Sequence, residues 1–155
     1  MAITAWRIVK ARRAPAAFDG EGARLEGGRW NSPGTLVVYT SGSAALAALE
    51  LLVHLGRESI LSAYVLITCT FDDALVSPLD RKRLPDNWRS YPAPLELQLI
   101  GDEWVRAGAS AVLKVPSAVI STDANYLLNP RHPDFRAIRV SDPKPFEYDP
   151  RLLKS

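Results

Sequence analysis

Ser43, Ala47, Glu50 and His54 stand at i, i+4, i+7 and i+11 within a leucine-rich stretch. At helical pitch they share one narrow face. A carboxylate on such a stripe has two readings. It faces water, or it faces a cleft inside an otherwise buried environment, where it needs a partner or a task. Gly27-Gly28-Arg29-Trp30-Asn31 is a second candidate. Two glycines let backbone approach a ligand, Arg29 can grip a phosphate, and Trp30 can stack on a base. The same segment also reads as a glycine turn with a surface Arg and a core Trp. Ser117, after an apolar run and Pro116, is a third. Its hydroxyl can bond a ligand or cap local backbone. Asn125 and Asn129 downstream are ligand contacts or loop-shaping residues, and His132 is a loop hydrogen-bonder or a catalytic base.

Several chemistries find no support. No GxxxxGK[ST] phosphate loop occurs, no GxGxxG follows a strand, and no GxSxG elbow surrounds Ser117. One cysteine, Cys69, and two histidines leave no disulfide framework and too few ligands for a dedicated transition-metal site. Arg predominates among the 19 basic residues, but the net charge of +2 gives no strong electrostatic case for direct nucleic-acid binding. The N-terminus lacks the apolar core of a signal peptide, and no apolar run approaches the ~20 residues of a membrane span. These features predict a soluble, cytoplasmic chain. Its 155 residues, 47% apolar and 23% charged, fit one domain over 1–155.

The elements that must position these residues read as follows. Ala5–Lys10, Leu36–Thr40, Tyr64–Phe71, Ala111–Val115 and Ala137–Val140 are expected strands. Ala44–Leu55 is the clearest helix, with Ser43 as its cap and Gly56 at its end. Its leucines point in nearly every direction, so it should be mostly buried. Pro94–Ala107 is a second helix with proline near its first turn. Residues 11–30 read as a long loop with at most a helical turn, and 121–135 as a polar loop. Strands outnumber helices in irregular order, which predicts α+β with helices packed on small antiparallel or mixed sheets.

Taken together, AWRIVK, GGRWNSPGTLVVYTS, ALAALELLVHLG, VPSAVI, NYLLNPRHPDF and PFEYDPRLL resemble, in order and spacing, the RES domain family. The resemblance implies a core like that of ADP-ribosyltransferase toxins and the toxin half of a toxin–antitoxin pair. It implies NAD+ as substrate, without a metal, consumed by hydrolysis or phosphorolysis. One branch of the family is reported to ADP-ribosylate a protein. Carried over by position, Glu50, Arg29, Tyr39 and Ser117 are the expected catalytic residues, and Arg7 is a further cofactor-binding Arg. Ser41 rivals Ser117 as a catalytic hydroxyl, and Trp30 and Asn125 are assigned to the pocket by proximity. The implied partner is an antitoxin with a helix-turn-helix part, which would carry the DNA contacts, in an oligomeric assembly with the toxin. Three alternatives stay open: a protein ADP-ribosyltransferase, a nucleic-acid-binding module using Arg12-Arg13 and Arg81-Lys82-Arg83, and a non-enzymatic interaction protein.

Overall fold

The computed structural model describes residues 1–55 and 62–153. The chain begins with β1 (Ala2–Lys10), a 3-10 turn (Ala11–Ala16), the short helix α1 (Glu21–Glu26) and β2 (Val38–Ser41). Helix α2 (Ala44–Leu52), β3 (Tyr64–Asp72), β4 (Val76–Pro78) and α3 (Leu95–Ala107) follow. The last strands are β5 (Val112–Pro116), β6 (Ala124–Leu128), β7 (Arg139–Val140) and β8 (Lys144–Phe146). The class is α+β, as the sequence predicts.

The strands join along one path, β4-β5-β6-β2-β1-β3-β7, with β8 also pairing β3. Only β4 and β5 run parallel. The path is weakest at its middle. β1 pairs with β3 over nine positions, but with β2 only at Trp6 opposite Ser41. The sheet is therefore two small sheets joined at one point.

The two longer helices pack chiefly on different halves. Ala47, Ala48 and Leu51 of α2 pack on Trp6, Ile8 and Leu66 of β1 and β3. Leu97, Ile100 and Trp104 of α3 pack with Trp30, Leu113 and Leu127 over β5 and β6. Of these, the buried Leu97, Ile100, Leu113 and Leu127 contribute about 1.5–3 kcal/mol each. Pro94 precedes α3, and Gly108, in the left-handed region at φ +60°, ends it by donating to the Trp104 and Val105 carbonyls. Gly101 has no room for a side chain, because a Cβ there would lie 1.6 Å from the Trp30 carbonyl oxygen.

Four expectations need correction. The segment 11–30 is not mainly a loop, because Ala11–Ala16 is a 3-10 helix and Glu21–Glu26 an α-helix. The segment 121–135 is not one polar loop, because Ala124–Leu128 is a strand between β5 and β2. A strand paired on both edges and covered on both faces is buried whatever its local pattern. Helix α2 is not mostly buried: Leu46 and Ala47 are, whereas Val53 just beyond its end is 60% exposed. The helix ends at Leu52, and the expected cap at Gly56 lies outside the described residues. Finally, Ala137 closes a 3-10 turn (Pro133–Ala137), and strand β7 begins only at Arg139. Among the described residues no helix is long and apolar enough to cross a membrane.

Candidate active site

Ser43 fixes the start of α2, its side chain accepting from the Leu46 amide at 3.0 Å. Two turns on, Glu50 points away from the half-sheet that carries its helix and toward the other one. Its Oε1 accepts from Ser117 Oγ at 2.6 Å and from Asn125 Nδ2 at 2.7 Å. Its Oε2 has no hydrogen-bond partner among the described residues. Of the two readings of the polar stripe, the inward one holds at Ala47 and Glu50, while His54 is exposed. These two bonds cross the joint, since α2 rests on β1 whereas Ser117 directly follows β5 and Asn125 lies in β6.

Ser117 is wholly buried. Its Oγ accepts from the Val119 and Ile120 amides at 3.1 and 3.0 Å while donating to Glu50. The capping reading of this hydroxyl holds, and the same group also bonds a carboxylate. Asn125 Oδ1 is buried without a hydrogen-bond partner among the described residues, an uncompensated acceptor that costs about 1–3 kcal/mol. Ser41 is buried and stands opposite Asn125 in the β2–β6 register.

The GGRWN segment folds around Tyr39. Its phenol donates to Asn31 Oδ1 at 2.6 Å and accepts from the Trp30 amide at 3.0 Å. Burial pushes that phenol far above its ordinary pKa, so it remains a proton donor. Asn31, fully buried, is the hub, its Nδ2 donating to the carbonyls of Ala23, Ser32 and Thr35. The glycines serve this loop: a Cβ on Gly28 would lie 2.7 Å from the Tyr39 hydroxyl. Trp30 is 2% exposed and packs in the core, so its core reading holds over stacking on a base.

Arg29 projects from this loop. Its Nη1 donates to the Trp88 and Ser90 carbonyls at 2.8 and 3.0 Å, and its Nε and Nη2 have no partner among the described residues. Burial lowers its pKa, while Glu50, Tyr39 and Tyr91 lie near enough to oppose that shift. Arg7 lies elsewhere, at the joint. Its Nε donates to the Ala17 carbonyl at 2.8 Å and its Nη1 to the Tyr39 carbonyl at 3.0 Å. It thus supplies a tie where β1 and β2 cease to pair, and burial lowers its pKa to about 10. A groove of about 660 Å3 opens at the start of α2, by Ser43 and Leu46, and is not lined by Glu50. Lys114, Pro116, Ala124 and Tyr126 line it, the positions that alternate with Ser117 and Asn125.

The structure thus brings Glu50, Ser117 and Asn125 into contact and sets Arg29 near them. It gives Tyr39, Trp30 and Arg7 supporting positions. Sequence reasoning missed Gln98, whose Nε2 donates to the Gly28 and Asn31 carbonyls at 3.0 and 3.1 Å. The only local sign is an amide among the leucines of α3. It also missed residues 85–91, which run past Arg29 and carry no motif.

Comparison with known proteins extends this geometry. The RES domain family model matches residues 4–149. A Yersinia enterocolitica protein, Toxin Res, is 41% identical over 148 residues, covering 95% of this chain and 97% of that protein. A Sphingobium protein, Prs ADP-ribosylating toxin, is 35% identical over 159 residues, covering 99% of each. The fold is similar to a chain of the Mycobacterium tuberculosis MbcT–MbcA toxin–antitoxin complex. The TM-score is 0.77 at 20% identity, over 95% of this chain and 85% of that one.

Proposed function

The chain belongs to the RES domain family, and from that premise we propose that it is a toxin that consumes NAD+ by cleaving the nicotinamide–ribose bond. The observation that carries this reading is the bonding of Glu50, with one carboxylate oxygen fixed by two donors and the other left without a partner. When the bond breaks, its electron pair leaves on nicotinamide and positive charge develops on the ribose. A carboxylate already held by Ser117 and Asn125 meets that charge without reorganising. The free Nε and Nη2 of Arg29 are placed to pair with the pyrophosphate through charge-assisted hydrogen bonds. A ribose hydroxyl is the kind of donor that Asn125 Oδ1 lacks. Arg7 and Tyr39 act through position, holding the joint and the Arg29 loop.

Water as acceptor gives ADP-ribose, nicotinamide and a proton. Inorganic phosphate gives the ribose-phosphorylated product and nicotinamide. A protein acceptor is the second reading, favoured by the name of the Sphingobium relative, an ADP-ribosylating toxin. The natural partner in either case is a cytoplasmic antitoxin, in keeping with the complex in which the M. tuberculosis neighbour was solved. A helix-turn-helix part of that partner would make the DNA contacts.

Purified protein incubated with NAD+, with and without phosphate, and followed by phosphorus NMR tests the proposal. Nicotinamide release is expected, and phosphate dependence separates the two small-molecule acceptors. No turnover in either buffer, together with no label transferred from NAD+ to protein in a lysate, would refute it.

A further inference from the structure

Residues 85–91 form a strap held at both edges. On one edge Arg29 Nη1 takes the Trp88 and Ser90 carbonyls. On the other, Arg89 reaches out to the turn after β5, its Nε donating to the Ala118 carbonyl at 3.0 Å and its Nη2 to the Val119 carbonyl at 3.3 Å. Beyond them the Tyr91 ring stands 6.4 Å from the His54 ring, just past α2. The strap therefore touches the Arg29 loop, the Ser117 turn and the end of the Glu50 helix.

The turn that Arg89 grips is the one that organises Ser117. Val119 and Ile120 donate their amides to Ser117 Oγ, and Ser117 donates to Glu50. From the geometry we infer that Arg89 is a positioning residue for Glu50. It binds the carbonyl side of the 118–119 peptides while Ser117 binds the amide side of the same turn. A loosened turn swings the Ser117 hydroxyl and with it Glu50 Oε1. Because Arg29 holds the same strap, the Arg expected to bind pyrophosphate and the carboxylate expected to act on the ribose are tied through three residues of backbone. Arg89 itself is exposed, and among the described residues its side chain bonds the Ala118 and Val119 carbonyls, not Glu50 or Arg29. Its effect on turnover rests on the proposed NAD+ chemistry, whereas its effect on the turn does not.

The test uses the full chain with Arg89→Ala and Arg89→Lys, and reads two quantities. In Arg89→Ala, amide hydrogen exchange at Val119 and Ile120 should quicken while that of Leu127 in central β6 stays unchanged. The value of kcat for NAD+ should fall about 10- to 100-fold, the range for a misplaced catalytic group, with KM within about twofold. Arg89→Lys, which keeps one donor, should fall between. Unchanged exchange at 119 and 120 would overturn the inference, as would faster exchange with unchanged kcat. If wild type turns over no NAD+, it is the proposed function that fails. The exchange measurement then decides alone whether Arg89 holds the turn.

Discussion

Ser117 donates its hydroxyl proton to Glu50 at 2.6 Å while its oxygen accepts two backbone amides. All the hydrogen-bonding capacity of that oxygen is in use, so it is held as an orienting group and not as a nucleophile. Ser117→Ala leaves the part-buried Val119 and Ile120 amides without their acceptor and removes one of the two donors to Glu50 Oε1. It should cost about 1–3 kcal/mol of stability and slow turnover. Mass spectrometry of wild type quenched during turnover should find no ADP-ribose on Ser117, and a modified Ser117 would reinstate it as nucleophile.

Glu50→Gln keeps both bonds, because the amide oxygen accepts from Ser117 and Asn125 as the carboxylate does. The thermal midpoint should therefore stay near that of wild type. Removing the charge should lower NAD+ consumption by about 10²–10³-fold, the scale of losing one preorganised electrostatic contact. Chromatography of released nicotinamide reads this directly, and a folded variant with wild-type turnover removes Glu50 from the mechanism.

Tyr39 and Gly28 are coupled through the hydroxyl that a Gly28 Cβ would strike at 2.7 Å. Gly28→Ala should destabilise by about 1–3 kcal/mol, as overpacking does. Tyr39→Phe should cost a similar amount, about 1–3 kcal/mol, by orphaning the Trp30 amide and Asn31 Oδ1. Since the two share one contact, the double variant should lose less than the sum. Strict additivity in urea unfolding would show that the hydroxyl is not what Gly28 makes room for.

Burial holds the Cys69 thiol up at about 12, against an ordinary value of 9.0. Between pH 9 and 10 the unfolded thiol gives up its proton while the folded one keeps it. The folded state then binds more protons, so stability falls as pH rises, by at most about 1.4 kcal/mol per pH unit. Above the ordinary tyrosine range Tyr39 acts in the same direction and Arg7 opposes it. Urea midpoints at pH 8 and 10 should converge in Cys69→Ala relative to wild type. An equal slope in both would mean that the thiol titrates freely in the fold.

Some local signals in the sequence were sufficient for the elements they mark. Ser43 before ALAALELL, Pro94 before the second helix and the β-branched runs around Tyr39 and Cys69 each depend on neighbours a few residues away. The chemistry-bearing types, Glu50, Arg29 and Ser117, were legible with them, as was the resemblance that orders them. Their working geometry was not. Glu50 meets Ser117 and Asn125 across 67 and 75 residues of chain. Those contacts exist only because Ala124–Leu128 enters the sheet between β5 and β2, and five residues among Asp, Asn and Pro carry no periodic signal strong enough to announce it. The same holds for Tyr39, whose hydroxyl serves Asn31 and Trp30, and for Arg89, whose partners lie about thirty residues on. Side-chain type and short-range spacing are written along the chain. Which buried donor faces which acceptor follows from strand order, and strand order is decided by long-range pairing and the burial it permits.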